Sequence, residues 1–225
     1  MQLSFNFPFQ EKYLPEDFVV SPCNKEAFEF VKNYDSSNET LPKNFAISAP
    51  KLAGKSYLAN IWCKKVGAEF LNLADLKNIN LIKFIKAKKF YIIEDIDEFK
   101  NQELLLQVFN LIQEKLGYLM LTSTVNLNQV GLKIKDLNSR LRNVFQLEIN
   151  SPDDDLIKML LTKNFAAKQL KVEGRVINFL TQNLHRDFAS IFDITRLLEF
   201  YSLEKKRNIT IPLAKEILGN YPLTD

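Results

Sequence analysis

The stretch Asn44-Phe45-Ala46-Ile47-Ser48-Ala49-Pro50-Lys51-Leu52-Ala53-Gly54-Lys55-Ser56 decides the fold. Its first five residues read as a short buried strand, and from Lys55 to about Val66 the apolar residues recur at helical spacing. Between strand and helix lies a loop that ends in Gly-Lys-Ser. Set against G-x-x-x-x-G-K-[ST], it matches at Gly54, Lys55 and Ser56 and departs at Ala49. That order of elements suits phosphate recognition. Backbone N–H groups curl round an anion at a helix N-terminus, a lysine adds a point charge, and a hydroxyl reaches a magnesium ion. The run Ala53-Gly54-Lys55-Ser56-Tyr57 is therefore the candidate site for ADP or ATP, with Ser56 on Mg2+. Alanine at position 49 puts the loop geometry in question, because glycine adopts backbone angles that alanine disfavours.

A second stretch complements the first. Phe90-Tyr91-Ile92-Ile93 is an apolar run followed by Glu94-Asp95-Ile96-Asp97, a buried strand delivering carboxylates to its C-terminal end. Parallel α/β sheets bind their ligands at that edge. In such an acidic strand the first acid holds magnesium and the second polarises the attacking water, which makes Glu94 and Asp95 the catalytic candidates. Their order reverses the usual one. The longer Glu94 must retract and the shorter Asp95 must reach, and a misplacement of about 1 Å costs roughly a hundredfold in rate. Binding with weak hydrolysis is the expectation.

Further short apolar runs at Glu69–Asn72, Tyr118–Leu121 and Val144–Ile149 alternate with helical segments, predicting an α/β fold with a five-stranded parallel sheet covered on both faces. At Ser151-Pro152-Asp153-Asp154-Asp155 the pattern changes. Serine suits the cap of a helix, proline its first position, and three carboxylates the positive end of its dipole. Leu156, Met159 and Leu160 form one helical stripe beyond it, and Phe188, Ile191, Thr195 and Leu198 another. The predicted division is a flexible segment over 1–8, a nucleotide-binding α/β domain over 9–150 and a small all-helical lid over 151–225.

Composition narrows the classes. The chain has 225 residues, 46% of them apolar and 25% charged, with a net charge of +3, so the overall field does not demand nucleic acid. No apolar run is long enough to cross a membrane, and the N-terminus lacks the features of a signal peptide. Cys23 and Cys63 have no metal-binding spacing, and Cys63, following Trp62, is expected as a buried thiol. A cytoplasmic protein is the expectation. Lys83, Lys86, Lys88 and Lys89 read as a solvated helix face, and His185, the only histidine, as a bystander.

Beyond these motifs the chain resembles the AAA+ family, and within it the DnaA-related branch with its Hda-type regulators. Asp17-Phe18-Val19-Val20 with Asn24 resembles the segment beside the adenine. Leu121-Thr122-Ser123-Thr124 resembles the sensor-1 strand, with Thr124 where an acid is usual. Leu137-Asn138-Ser139-Arg140-Leu141 resembles the segment whose arginine reaches a neighbour's ATP, which implies that Arg140 acts in trans, with Arg142 as rival. Leu184-His185-Arg186-Asp187 resembles the sensor-2 start, implying that Arg186 contacts the nucleotide, and 208–218 resembles the closing segment of Hda-type proteins. Arg140 is expected in a polar loop before a strand. Arg186, close to a helix start, is expected to seek an anion.

Gln2-Leu3-Ser4-Phe5-Asn6-Phe7 resembles the hexapeptide that binds the beta sliding clamp of DNA polymerase III, with Gln2, Leu3, Phe5 and Phe7 as its anchors. DnaA initiators continue past the lid into a DNA-binding domain, so a chain ending at Asp225 is not expected to read DNA sequence. The resemblance implies a regulator that docks on the clamp and stimulates hydrolysis of DnaA-bound ATP. Two alternatives stay open: an autonomous ATPase such as a helicase or clamp loader, and a non-catalytic DnaA-like docking factor. No membrane partner is implied, and a homo-oligomer is possible.

Overall fold

A computed structural model describes residues 13–220. The hexapeptide Gln2–Phe7 lies outside them. Helix α1 (Lys25–Asn33) leads to strand β1 (Asn44–Ser48), helix α2 (Lys55–Val66) and strand β2 (Glu69–Phe70). A single turn, α3 (Leu81–Phe84), precedes β3 (Phe90–Ile93). Then come α4 (Gln102–Glu114), β4 (Tyr118–Ser123), α5 (Lys135–Arg142) and β5 (Phe145–Glu148). Four helices follow: α6 (Asp154–Ala167), α7 (Gly174–Asn183), α8 (Phe188–Glu204) and α9 (Ile211–Asn220).

The five strands form one parallel sheet in the order β2-β3-β4-β1-β5. Strand side chains alternate between faces, and two cores follow from that. Ala46, Tyr91, Ile93, Leu119 and Leu121 face the layer of α4 and α5. Phe45, Ile47, Ile92, Met120 and Leu147 face α1 and α2. Trp62 is fully buried in the second layer, edge-on to Tyr34, Phe45 and Phe90. Helix α2 stops at Gly67, whose left-handed φ of 69° lets its N–H reach the Cys63 carbonyl at 2.8 Å. Cys63 itself is only half-buried, because α2 turns its side towards the edge of the layer; its thiol donates to the Ala68 carbonyl.

Beyond residue 150 the helices enclose a core of their own, centred on Leu161, Phe165, Leu180, Ile191, Ile194 and Leu198. Leu156 and Phe188 instead join the α1/α2 core and fasten the helices to the sheet. The cap of α6 is Asp153 rather than Ser151: its carboxylate accepts the Leu156 N–H at 2.7 Å, while Pro152 is buried ahead of the helix. The inward stripe of α6 is also shifted by one residue. Leu156, Ile157, Leu161 and Phe165 are buried while Met159 is exposed. The α8 stripe, Phe188, Ile191, Thr195 and Leu198, is buried throughout. Of the four clustered lysines only Lys83 is helical, since α3 ends at Phe84 and Lys88 takes a left-handed φ of 53°.

Candidate nucleotide site

The loop between β1 and α2 is held from both ends. Ala49 donates its N–H to the Ser123 carbonyl at 3.0 Å and is buried, and no left-handed backbone is needed there. The strain falls instead on Leu52, with φ of 65°, and on Gly54, with φ of 98°. Glycine is required at position 54 on a second count. A Cβ would stand 2.9 Å from the Phe18 ring. Phe18 stacks on Phe28 at 5.2 Å and leans on Tyr57, whose hydroxyl accepts the Leu14 N–H and donates to the Leu14 carbonyl. The opening segment thus forms a lid of rings over the start of α2. Gly54 offers no side chain to cap that helix, leaving first-turn N–H groups without an intrahelical acceptor. Ser56 is exposed beside them.

Lys55 is 7% exposed, and its ammonium donates to the Ala49 carbonyl at 2.9 Å and the Pro50 carbonyl at 3.2 Å. Asp95 is 4.0 Å away. Burial pushes the lysine below its usual range, with Asp95 and Asp97 opposing the shift. Asn24, expected near a cofactor, is committed locally: it accepts from Ser21 and donates to Val19, fixing the turn between them.

The two acids after β3 are placed differently from each other. Asp95 has a left-handed φ of 47°, and its N–H donates to the Thr122 hydroxyl at 2.9 Å. That contact follows from the register of β3 on β4, where Ile93 lies opposite Leu121. Glu94 keeps a buried oxygen, Oε1, with no hydrogen-bond partner among the described residues. It lines a cleft of about 360 Å³ between the ends of β2 and β3, walled by Phe70, Leu71 and Phe99. Among the described residues no three acidic, histidine or cysteine side chains cluster tightly enough to hold a metal by themselves.

Sequence reasoning passed over Asp97 and Thr122. The Asp97 carboxylate accepts the Thr124 N–H at 3.0 Å and the Thr124 hydroxyl, tying the sensor-1 strand to the acidic one. Burial raises its pKa, but the hydrogen bonds from Thr124 outweigh that and hold it low. The signal was available: Thr122 follows the apolar run Tyr118–Leu121, in the strand that pairs with β3, and Thr124 lies just beyond that strand.

Arg140 is not in a loop. Leu137 and Leu141, both buried, make residues 135–142 a helix, and Arg140 stands in its last turn. Its Nε donates to Asp136 at 3.1 Å and its Nη1 to Gln113 at 3.2 Å. Arg142 and His185 are exposed. Arg186 meets the anion its position calls for: it pairs with Asp154 in the first turn of α6 at 3.0 Å. The structure therefore gathers Gly54, Lys55, Ser56, Tyr57, Glu94 and Asp95 at one edge of the sheet. Arg140 and Arg186 are each held on a carboxylate, Asp136 and Asp154.

A parallel sheet in this order, a glycine-lysine-serine loop opening α2 and acids after β3 define a P-loop protein of the AAA+ class. The comparisons agree. Domain III of Thermotoga maritima DnaA superposes with a TM-score of 0.75 at 18% identity, covering 97% of this chain and 100% of that one. AMPPCP-bound DnaA from Aquifex aeolicus gives 0.67 at 19% identity, over 86% and 67% of the two chains. Residues 153–218 match the family model described as the lid domain of Hda. An uncharacterized protein of Haemophilus influenzae is 30% identical over 68% of this chain and 65% of its own length. The chromosomal replication initiator protein DnaA of Buchnera aphidicola is 25% identical over 97% of this chain and 55% of its own length. The chain thus spans less than two-thirds of these relatives. The chain has the fold of the AAA+ domain of DnaA, and residues 153–218 are similar to the lid of Hda.

Proposed function

We propose that this chain is an adenine-nucleotide-binding regulator of chromosomal replication initiation that works in the cytoplasm. It docks on the sliding clamp through Gln2–Phe7 and presents Arg140 to DnaA, whose bound ATP is then hydrolysed. The observation that carries the reading is an Hda-type lid joined to a phosphate loop whose lysine is already held in place. AMPPCP-bound DnaA shares the fold, which supports an adenine nucleotide here.

Several features fit a nucleotide with magnesium. Bound together, they supply phosphate charge and a cation that partly neutralises it. Lys55 answers that charge by turning from two neutral carbonyls, and Arg186 by exchanging Asp154. Glu94 has a carboxylate oxygen free for a metal-bound water, and Ser56 presents a hydroxyl at the head of α2. Asp136 and Gln113 fix the guanidinium of Arg140 in advance, so little freedom is lost when it engages a partner.

A guanidinium supplied in trans accelerates phosphoryl transfer by about 10³–10⁵. Hydrolysis of DnaA-bound ATP, followed with DNA-loaded clamp, should rise on adding this chain. Arg140→Ala should remove the stimulation and Arg142→Ala should leave it. Full stimulation by Arg140→Ala would show the finger to be another residue. Brisk turnover by the chain alone, abolished by Lys55→Ala, would favour an autonomous ATPase.

A further inference from the structure

In a parallel sheet every strand starts at the same edge, so residues just ahead of each strand collect along one rim. Ahead of β1, β3 and β4 those positions include lysines. Lys43 precedes β1, Lys88 and Lys89 precede β3, and Lys115 lies just ahead of β4. Backbone hydrogen bonds fix their nearness. The Lys43 carbonyl accepts from Leu119, the Lys89 carbonyl from Tyr118, and the Lys88 N–H reaches the Lys115 carbonyl, each at 2.9 Å. Lys115 folds its ammonium onto the carbonyls of Ile82 and Ile85, bringing Lys83 and Lys86 to the same rim. Five of these six side chains are exposed, and none of the six makes an ion pair among the described residues.

Helix dipoles explain cations at the C-terminal ends of helices. They do not explain Lys43, Lys88 and Lys89, which follow loops. Nor does the rim balance its charge: Glu39, Glu69 and Glu114 are the neighbouring acids, and all three are exposed and unpaired with these lysines. The opposite rim is acidic, with Glu94, Asp95, Asp97 and Glu98 beyond β3. An extended polyanion is thus attracted to the lysine rim, where no acid among the described residues pairs with the lysines.

We infer that the lysine rim is a sequence-independent contact surface for the phosphate backbone of duplex nucleic acid. Neighbouring strands lie about 4.8 Å apart, so the rim is a stiff row of point charges with no pocket for a base edge. Lys43 lies over the Tyr118 ring, which stacks on Phe90 at 4.4 Å, so the aromatic groups serve the rim's rigidity. Its exposed large apolar side chains are Ile82, Leu116 and, at the start of β5, Phe145. Standing on separate elements, they provide neither the apolar centre of a protein interface nor the amphipathic helix that seats in lipid headgroups.

The test is fluorescence anisotropy of a labelled mixed-sequence duplex titrated with the full chain, from about 50 to 200 mM salt. A rim variant, Lys83→Gln with Lys86→Gln and Lys89→Gln, is compared with a charge-matched one, Lys100→Gln with Lys133→Gln and Lys171→Gln. The intact chain and the charge-matched variant should bind with the same steep salt dependence. The rim variant should bind more weakly, its slope of log affinity on log salt shallower by about 3. The inference fails if the intact chain does not bind duplex at the lowest salt, or if the two variants have equal slopes. It also fails if the chain binds vesicles containing phosphatidylglycerol and not the duplex.

Discussion

The two halves of the nucleotide site are built to different standards. On the loop side, Lys55 is buried with two acceptors, Gly54 sits under the Phe18 ring, and Ala49 is pinned to the end of β4. On the acid side, Glu94 has a buried oxygen with no partner among the described residues, and Asp95 depends on a left-handed backbone and one threonine hydroxyl. The contrast teaches that phosphate recognition and water activation need not be equally determined by a fold. A protein that binds nucleotide as a ligand requires the first half, and a rapid hydrolase requires both.

The sharpest way to press on this contrast is Lys55→Ala, which should weaken adenine-nucleotide binding by about 100-fold in a titration, with Glu94→Gln costing far less. Comparable losses from both variants would erase the distinction. Next, Gly54→Ala combines an unfavourable φ with a contact against Phe18. It should cost about 1–3 kcal/mol of stability, read from urea unfolding. An unchanged midpoint would mean that Phe18 swings aside freely. Thr122→Val leaves the Asp95 N–H without its acceptor and should cost about 1 kcal/mol, on the acid side alone.

The smallest effect concerns acid. Asp97 titrates below the ordinary 3.8, so its contribution to stability is complete above that pH. It is lost as pH falls through the depressed value. Thr124→Ala deletes one of the donors that hold it low, so the variant should start less stable at neutral pH and lose less on acidification. Urea midpoints at neutral pH and near about pH 3 would show it. Parallel curves would place the depression elsewhere.

Much of the fold was legible because its signals were periodic. Asn44–Ser48, Lys55–Val66 and Phe90–Ile93 fall where apolar spacing puts them. The misreadings have local causes. Arg140 was expected in a loop because Lys135–Arg142 is mostly polar, yet Leu137 and Leu141 lie one turn apart and suffice to bury a helix face. Ser151 looked like a cap, but a capping oxygen has to lie within reach of a backbone N–H three residues on, and Asp153 meets that condition at Leu156. In the site, the glycine-lysine-serine loop and the acids were readable because each is contiguous. The bonds from Asp95 to Thr122 and from Asp97 to Thr124 join residues 27 apart, and depend on β3 lying beside β4. Lys83, Lys86, Lys88 and Lys89 read as a solvated face; that Lys43 and Lys115 join them depends, again, on β1, β3 and β4 lying side by side.

Trp62 is the only tryptophan, and it is buried against the sheet with an indole N–H that has no partner among the described residues. The separate core of the four C-terminal helices contains none. Indole emission therefore watches only one of the two cores, whereas circular dichroism, which sees helices everywhere, watches both. Superimposed melting curves would mean that Leu156 and Phe188 weld the cores into one cooperative unit. Separated curves would date the loosening of the lid against the loss of the layer that carries the phosphate helix.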